Sequence, residues 1–273
     1  MPVTTKILFT DASDHGYGGY LVKRAGHVVV VGKFSELEHR TSSTTRELLA
    51  VKYSLESLAS KLAHESVRAY VDNFAARRIL TVGSAKEHLQ ALAIDIFQIC
   101  LINNIKLVAT WVPRELNVIA DYYSKFQDTD DWSIDDITFN KVNERFGQFT
   151  IDRFADNRNT KLSRFNSKYY CPNTSGVDAF TEDWTHENNW ICPPVSLIGS
   201  VFRHMEVSKA TGTIFVPAWE SAYFWPLLYP DGIRLAYFVK DFMILSPHYA
   251  SRGNNKVFVG KPSFKALALF CEF

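Results

Sequence analysis

Four carboxylates in the first half of the chain sit where ordinary packing would place apolar side chains. Asp11 closes the run Lys6-Ile7-Leu8-Phe9-Thr10, Glu47 lies beside Leu48, Leu49 and Val51, Asp72 ends "VRAYVD", and Asp121 lies inside "NVIADYY". A buried carboxylate without a partner is expensive, so each of these acids asks for a cation beside it. Oxygens that converge without Lys or Arg suit hard divalent ions, and Mg²⁺ keeps near-octahedral oxygen coordination while retaining waters. Two such ions roughly 3.5–4 Å apart can activate a water and stabilise the leaving oxygen of a phosphodiester. Singly, each acid has a structural explanation: Glu47 as a first-turn helix acid, Asp72 as a strand-end turn residue, Asp121 as a solvated helix acid. It is the combination that points to chemistry.

The elements that must position the acids can be read from periodicity. "FTDASDHGYGGYL" (residues 9–21) is a strand breaking into a glycine-rich hairpin, and "GYLVKRAGHVVVVGKF" continues as two antiparallel strands around Arg24-Ala25-Gly26. "SSTTRELLAVKYSLESLASKLA" opens on Ser and Thr capping candidates, and Leu48, Leu49, Val51, Leu55, Leu58 and Leu62 recur at helical spacing. A strand at "VRAYVD", helices at "NFAARRIL" and from Lys86 to Ile102, a strand at "IKLVATWV" and a helix after Pro113 carrying Asp121 complete the order. If the first and fourth strands are neighbours and both acid-bearing helices pack on the same sheet, the four carboxylates converge.

A length of 273 residues predicts about two domains. Lys and Arg total 30 against 29 Asp and Glu, so bulk charge gives no argument for a nucleic-acid partner and any such site must be local. Cys100, Cys171, Cys192 and Cys271 are far apart with no CxxC pair, which argues against a zinc site or a disulfide framework. No apolar run approaches the roughly 20 residues of a membrane helix, and "MPVTTKILFTDAS" lacks the regions of a signal peptide, so the expected location is intracellular, cytoplasmic or nuclear. The tract "QDTDDWSIDD" reads as an acidic linker, taken as 128–140, between domains at 1–127 and 141–273. Beyond it, short apolar runs separated by Asn, Ser, Pro and aromatics suggest a second α/β domain.

"TDAS" followed by the glycines, "RELLAV" with Glu47, "VDN" with Asp72 and "WVPRELNVIAD" with Asp121 together resemble the ribonuclease H domain of retroelement reverse transcriptases, over about residues 5–127. The resemblance implies a mixed sheet with flanking helices, Asp11, Glu47, Asp72 and Asp121 as ligands of two Mg²⁺ or Mn²⁺ ions, and endonucleolytic cleavage of RNA in an RNA–DNA hybrid. Asp11 would then be a metal ligand, with the glycines letting the hairpin turn tightly. Such hybrids are read by shape, phosphates and 2′-hydroxyls, and Ser13, Asn73, Arg77 and Asn117 are candidate backbone contacts. Many cellular relatives carry a His before the last acid, where this chain has "PREL". A fold kept without its activity, as a connection or nucleic-acid-binding domain, is the alternative, which the intact acid set disfavours.

"FTIDRFADNRNTKLSRFNSKYYCPNTSGVDAFTEDW", "NWICPPVSLIG" and "TIFVPAW" resemble the methyltransferase-like domain that follows ribonuclease H in DIRS-type, tyrosine-recombinase retrotransposons, itself similar to phage adenine-N6 DNA methyltransferases. This implies a Rossmann-like domain, with Asp152, Phe154 and Ala155 on the cofactor side and Asp178, Asp183 and Trp184 continuing the motif. Active relatives end a strand in Asn or Asp, two prolines and an aromatic. The first side chain and a backbone carbonyl accept hydrogen bonds from the target amine, and the aromatic stacks on the flipped base. Here the segment reads Cys192-Pro193-Pro194-Val195. Both reactive positions have changed, so the domain reads as degenerate, DNA adenine-N6 methylation is disfavoured, and binding of S-adenosylmethionine is left open. The acids as turn caps of a purely structural domain are the plainer reading. No "YxDD" polymerase motif is present, so the chain reads either as a fragment of a longer retroelement polyprotein with a reverse transcriptase domain as its neighbour or as a remnant standing alone.

Overall fold

The computed structural model describes residues 3–247, 249, 251–253 and 256–273. The chain divides into two compact units, Met1–Phe126 with Tyr169–Thr174, and Gln127–Lys168 with Ser175–Phe273.

In the first unit the chain runs β1 (Lys6–Ala12), β2 (Gly16–Val22), β3 (His27–Lys33), α1 (Glu36–His39), α2 (Ser43–Ser57), α3 (Ala59–Leu62), β4 (Ser66–Val71), α4 (Phe74–Val82), α5 (Glu87–Ile102), β5 (Lys106–Trp111) and α6 (Val118–Ser124). The sheet order is β3-β2-β1-β4-β5. The first three strands pair antiparallel as two hairpins, while β4 lies parallel to β1 and β5 parallel to β4. Parallel neighbours need a crossover, and α2 supplies the one from the meander to β4. Its N-cap is Ser42, whose side chain accepts the Thr45 N–H. Leu48, Leu55, Leu58 and Leu62 are fully buried in one core with Leu8, Val67 and Val71 from the sheet. The edge strand β3 is not left open: the Tyr170 N–H donates to the Val29 carbonyl (3.0 Å) and the Val31 N–H to the Tyr170 carbonyl (3.2 Å).

The glycines after Asp11 have a different reason from the tight turn expected of them. A Cβ on Gly18 would lie 2.3 Å from the Ser124 backbone nitrogen and 2.7 Å from the Ala120 carbonyl oxygen. Gly18 therefore lets α6 lie directly on the sheet. Gly26, at φ 76°, is the residue whose freedom turns a hairpin, the one between β2 and β3.

The second unit contains β6 (Trp132–Ile134), α7 (Asp136–Phe146), β7 (Ile151–Asp152), β8 (Asn166–Ser167), β9 (Gly176–Val177), β10 (Asn188–Ile191), α8 (Ile198–Ser208), β11 (Thr211–Pro217), α9 (Trp225–Leu228), β12 (Val239–Leu245), β13 (Ser251–Gly253) and β14 (Ala266–Glu272). Its main sheet has the order β12-β14-β11-β10-β7. β7, β10 and β11 run parallel, with α8 crossing between the last two, and β14 is antiparallel to both of its neighbours. The fold is thus mixed α/β in both units. In this unit Arg153 is buried, with no carboxylate in contact among the described residues. Its guanidinium donates to Asn189 Oδ1 (2.7 Å), Asn166 Oδ1 (2.8 Å) and the Asp183 carbonyl (2.7 Å) and lies over the Trp184 ring. Burial pulls its pKa down to about 10.

The acidic tract 128–140 is folded, which corrects its reading as a linker. Trp132, Ser133 and Ile134 are buried in β6 and pair with β13. The acids of the tract serve structure: Asp135 caps α7 by accepting the Thr138 N–H (2.8 Å), and Asp136 pairs with Lys161 (2.6 Å). A three-residue strand offers too little periodicity to stand out against five acids.

Candidate metal centre

The sheet register brings the first two acids together. β1 and β4 pair Phe9 with Tyr70 in parallel, and the same register carried two residues onward sets Asp11 beside Asp72. α2 packs across β1 and β2 and delivers Glu47 to the same end of the sheet. One ligand oxygen from each of Asp11, Glu47 and Asp72 lies within 4.8 Å of the other two. Asp11 and Glu47 are 2% and 5% exposed, and Asp72 is half-buried.

The electrostatics of this triad are those of a centre awaiting positive charge. Burial, followed by the charges of Asp11 and Asp72, pushes the Glu47 carboxyl up to about 9. Burial also raises Asp11 to about 6, although a hydrogen bond from the Ser124 hydroxyl to Asp11 Oδ2 (2.5 Å) works the other way. Asp72 is raised as well, chiefly by burial. Glu47 Oε2 is buried with no hydrogen-bond partner among the described residues. An orphaned, fully buried carboxylate oxygen facing two other acids fits a hard divalent cation, which would take one oxygen from each residue.

Asp121 stands apart from this group. Its carboxylate accepts the Lys125 ammonium through both oxygens (2.6 Å each) and the Arg114 guanidinium at Oδ1 (3.2 Å). Burial works to raise its pKa, but these two cations outweigh it and hold the group below the usual carboxylate range. Of the four acids expected to form one metal set, three meet and the fourth is engaged by its own ion pairs.

The candidate hybrid contacts divide further. Asn117 is fully buried, and its amide donates to the Thr10 carbonyl (3.0 Å). This corrects its reading as a nucleic-acid contact, since it pins the start of α6 to β1. The Ser13 hydroxyl donates to the Ser124 carbonyl (2.6 Å), tying the first hairpin to α6. Asn73 caps α4 by accepting the Ala76 N–H (2.9 Å), and Arg77 lies half-buried on that helix. Sequence reasoning missed Ser124, Arg114, Lys125 and Trp111, whose indole N–H donates to the Asp72 carbonyl (3.0 Å). The i,i+4 spacing of Asp121 and Lys125 was a usable signal for their pairing; the other three are joined by tertiary geometry.

In the second unit, Asp152 is buried at the end of β7, and its Oδ2 accepts the Lys161 N–H (3.0 Å). Burial raises it to about 7 against that hydrogen bond. The Cys-Pro-Pro-Val segment follows β10. Cys192 is buried with its thiol 3.9 Å from the Trp132 carbonyl, and the Pro193 carbonyl accepts the Trp132 indole N–H (2.8 Å). Trp132 itself is 1% exposed and stacked on Phe258 with centroids 4.6 Å apart. Val195 opens a 3-10 turn and packs into the core. A backbone carbonyl of the motif expected to take a substrate amine is thus occupied by the chain's own indole, and Val195 offers no π-face. These residues do not fit a methyl acceptor.

Two family models match the chain. Residues 2–97 match the RNase H-like domain found in reverse transcriptase, and residues 123–237 match DNA N-6-adenine-methyltransferase (Dam). No curated protein matches. Among solved structures, the chain is similar to LC11 ribonuclease H1 isolated from compost by a metagenomic approach, at 22% identity and a TM-score of 0.38 over 44% of this chain and 93% of that one. It is similar to the N-terminal RNase H domain of a Mycobacterium tuberculosis protein, solved fused to maltose-binding protein, at 14% identity and a TM-score of 0.37 over 43% and 94%. It is also similar to the prototype foamy virus protease-reverse transcriptase at 10% identity and a TM-score of 0.29, covering 45% of this chain and 21% of that chain.

Proposed function

We propose that the first unit is a divalent-metal-dependent ribonuclease H that cleaves the RNA strand of an RNA–DNA hybrid internally. The observation that carries this reading is the triad Asp11, Glu47 and Asp72, three carboxylates converging at one end of the sheet with a buried oxygen left unpartnered. The RNase H-like family match over residues 2–97 supports the choice of reaction, because it contains all three. Mg²⁺ or Mn²⁺ held there would supply activation of water and charge neutralisation at the phosphate. The protein's own part is positioning. Ser124 fixes the Asp11 carboxylate, β4 and Trp111 hold the backbone at Asp72, and α2 keeps Glu47 shielded from water, where its interactions are strongest.

The succession of an RNase H-like and a Dam-like segment in one chain supports a retroelement origin, of DIRS type, next to a reverse transcriptase domain in a longer intracellular polyprotein. We read the second unit as a Rossmann-like methyltransferase relative that has lost the reaction, on the strength of the Trp132 indole seated on Pro193. Incubating the purified chain with end-labelled RNA–DNA hybrid, duplex RNA, single-stranded RNA and duplex DNA, with Mg²⁺ or EDTA, tests the nuclease reading. Mg²⁺-dependent internal cuts confined to hybrid RNA are expected. Equal cleavage of every substrate, or none of the hybrid, contradicts it.

A further inference from the structure

α5 is apolar around most of its circumference, although it lies at the surface of the first unit. Leu89, Ile96 and Cys100 are buried, and Leu92, Ala93 and Ile99 pack against the same core, which accounts for the face turned toward α2 and the sheet. The opposite face carries Ala91, Ile94, Phe97, Gln98, Leu101 and Ile102, all exposed. Ile94 is 45%, Phe97 65%, Leu101 68% and Ile102 82% exposed. Ile94, Phe97 and Leu101 follow the alternating three- and four-residue spacing of a helix–helix seam. A surface helix ordinarily sets charged side chains on its outer face. Here the acids of α5 are Glu87 at its start and Asp95, which is paired with Lys52 of α2 (2.7 Å). From Ala91 to Ile102 the exposed positions bear no charge.

Two properties of this face select its occupant. A two-fold axis sets the side chains nearest it against their own copies, so a charge at the centre would meet its like. The uncharged stripe is self-complementary in this sense, whereas a nucleic acid would call for Lys or Arg. The area is also sufficient. At these exposures Ile94, Phe97, Leu101 and Ile102 present about 500 Å² per copy. Two copies would cover about 1,000 Å², where specific interfaces begin, before Ala91 and Gln98 are added. We propose that the outer face of α5 is the contact surface for a second copy of this chain. The two helices pack antiparallel about a two-fold axis beside Phe97 and Gln98, so that Ile94 of each copy lies against the partner's Leu101. Antiparallel packing opposes the helix dipoles and keeps Glu87 away from its own copy. The pairing draws on none of the triad carboxylates and stands apart from the nuclease reading.

Sedimentation velocity of the full chain from about 1 to 100 μM tests it. The unaltered chain is expected to pass from monomer to dimer across this range. Gln98→Glu and Gln98→Lys set like charges at the axis while leaving the apolar stripe in place. Each alone is expected to weaken association about tenfold or more, and an equimolar mixture of the two to associate at least as well as the unaltered chain. Phe97→Glu is expected to sediment as a monomer at every concentration, with its helix content by circular dichroism unchanged because the side chain it replaces is largely exposed. An unaltered chain that stays monomeric overturns the proposal and leaves the face to a partner of another sequence. A dimer indifferent to the charge at Gln98, or a mixture that associates no better than either variant alone, overturns it as well and moves the dimer contact off α5.

Discussion

Glu47 is the residue on which the candidate metal centre is most finely balanced. Its carboxyl is raised from an ordinary 4.5 to about 9, by burial first and then by Asp11 and Asp72. A carboxyl raised on folding favours the native state below its unfolded pKa, and that contribution is lost as pH climbs through the folded value. Without divalent ions the protein should therefore lose stability between about pH 4.5 and 9, by several kcal/mol at the upper end given about 1.4 kcal/mol per pKa unit. Glu47→Gln removes this titration. Melts in EDTA and in Mg²⁺ at about pH 5 and about pH 9 should show a shallower pH dependence for the variant and loss of the Mg²⁺ stabilisation. A metal-free variant whose Tm falls with pH as steeply as the unaltered protein would argue against the raised titration of a buried Glu47. The acids were legible because a carboxylate in an apolar run is physically anomalous. Asn117 was misjudged because a polar residue in a loop looks exposed until its amide is seen closing on the Thr10 carbonyl across 107 positions of sequence.

Two elements carry the site, and each has a position that tests its placement. Leu55 is fully buried on α2, two turns beyond Glu47, between the helix and the sheet. Leu55→Ala should cost about 2–5 kcal/mol by the lost transfer energy and the cavity left behind, and an unchanged melting temperature would contradict the packing of α2. Gly18 is the contact point of α6, with no room for a methyl group against Ser124 and Ala120. Gly18→Ala should cost about 1–3 kcal/mol and shift the helix, which moves Ser124 off Asp11. Cleavage should then fall more steeply than the loss of stability explains, and measuring both in one preparation separates the two. The long elements were readable from periodicity, since α2 repeats its leucines over several turns. β6 was not, because three residues inside an acidic tract carry no period, and the only sign of its burial was the composition of Trp132-Ser133-Ile134 itself.

At the scale of the whole molecule the two units fare differently. The first holds a carboxylate oxygen, Glu47 Oε2, that is buried without a hydrogen-bond partner among the described residues, whereas in the second the Trp132 indole donates to the Pro193 carbonyl and stacks on Phe258. Trp132→Ala should cost about 3–5 kcal/mol in the second unit and gain no methyl transfer to duplex or single-stranded DNA from tritiated S-adenosylmethionine. Methyl transfer by the unaltered chain that disappears in Pro193→Ala would reverse that reading. The account stands or falls on the triad of the first unit. Its most direct test is single-turnover cleavage of a labelled RNA–DNA hybrid in Mg²⁺ by the unaltered chain and by Asp72→Asn, with circular dichroism showing both folded. The account predicts cleavage by the former and a loss of at least about a thousandfold in the latter, some 4 kcal/mol of transition-state stabilisation; cleavage at the same rate by both would contradict it.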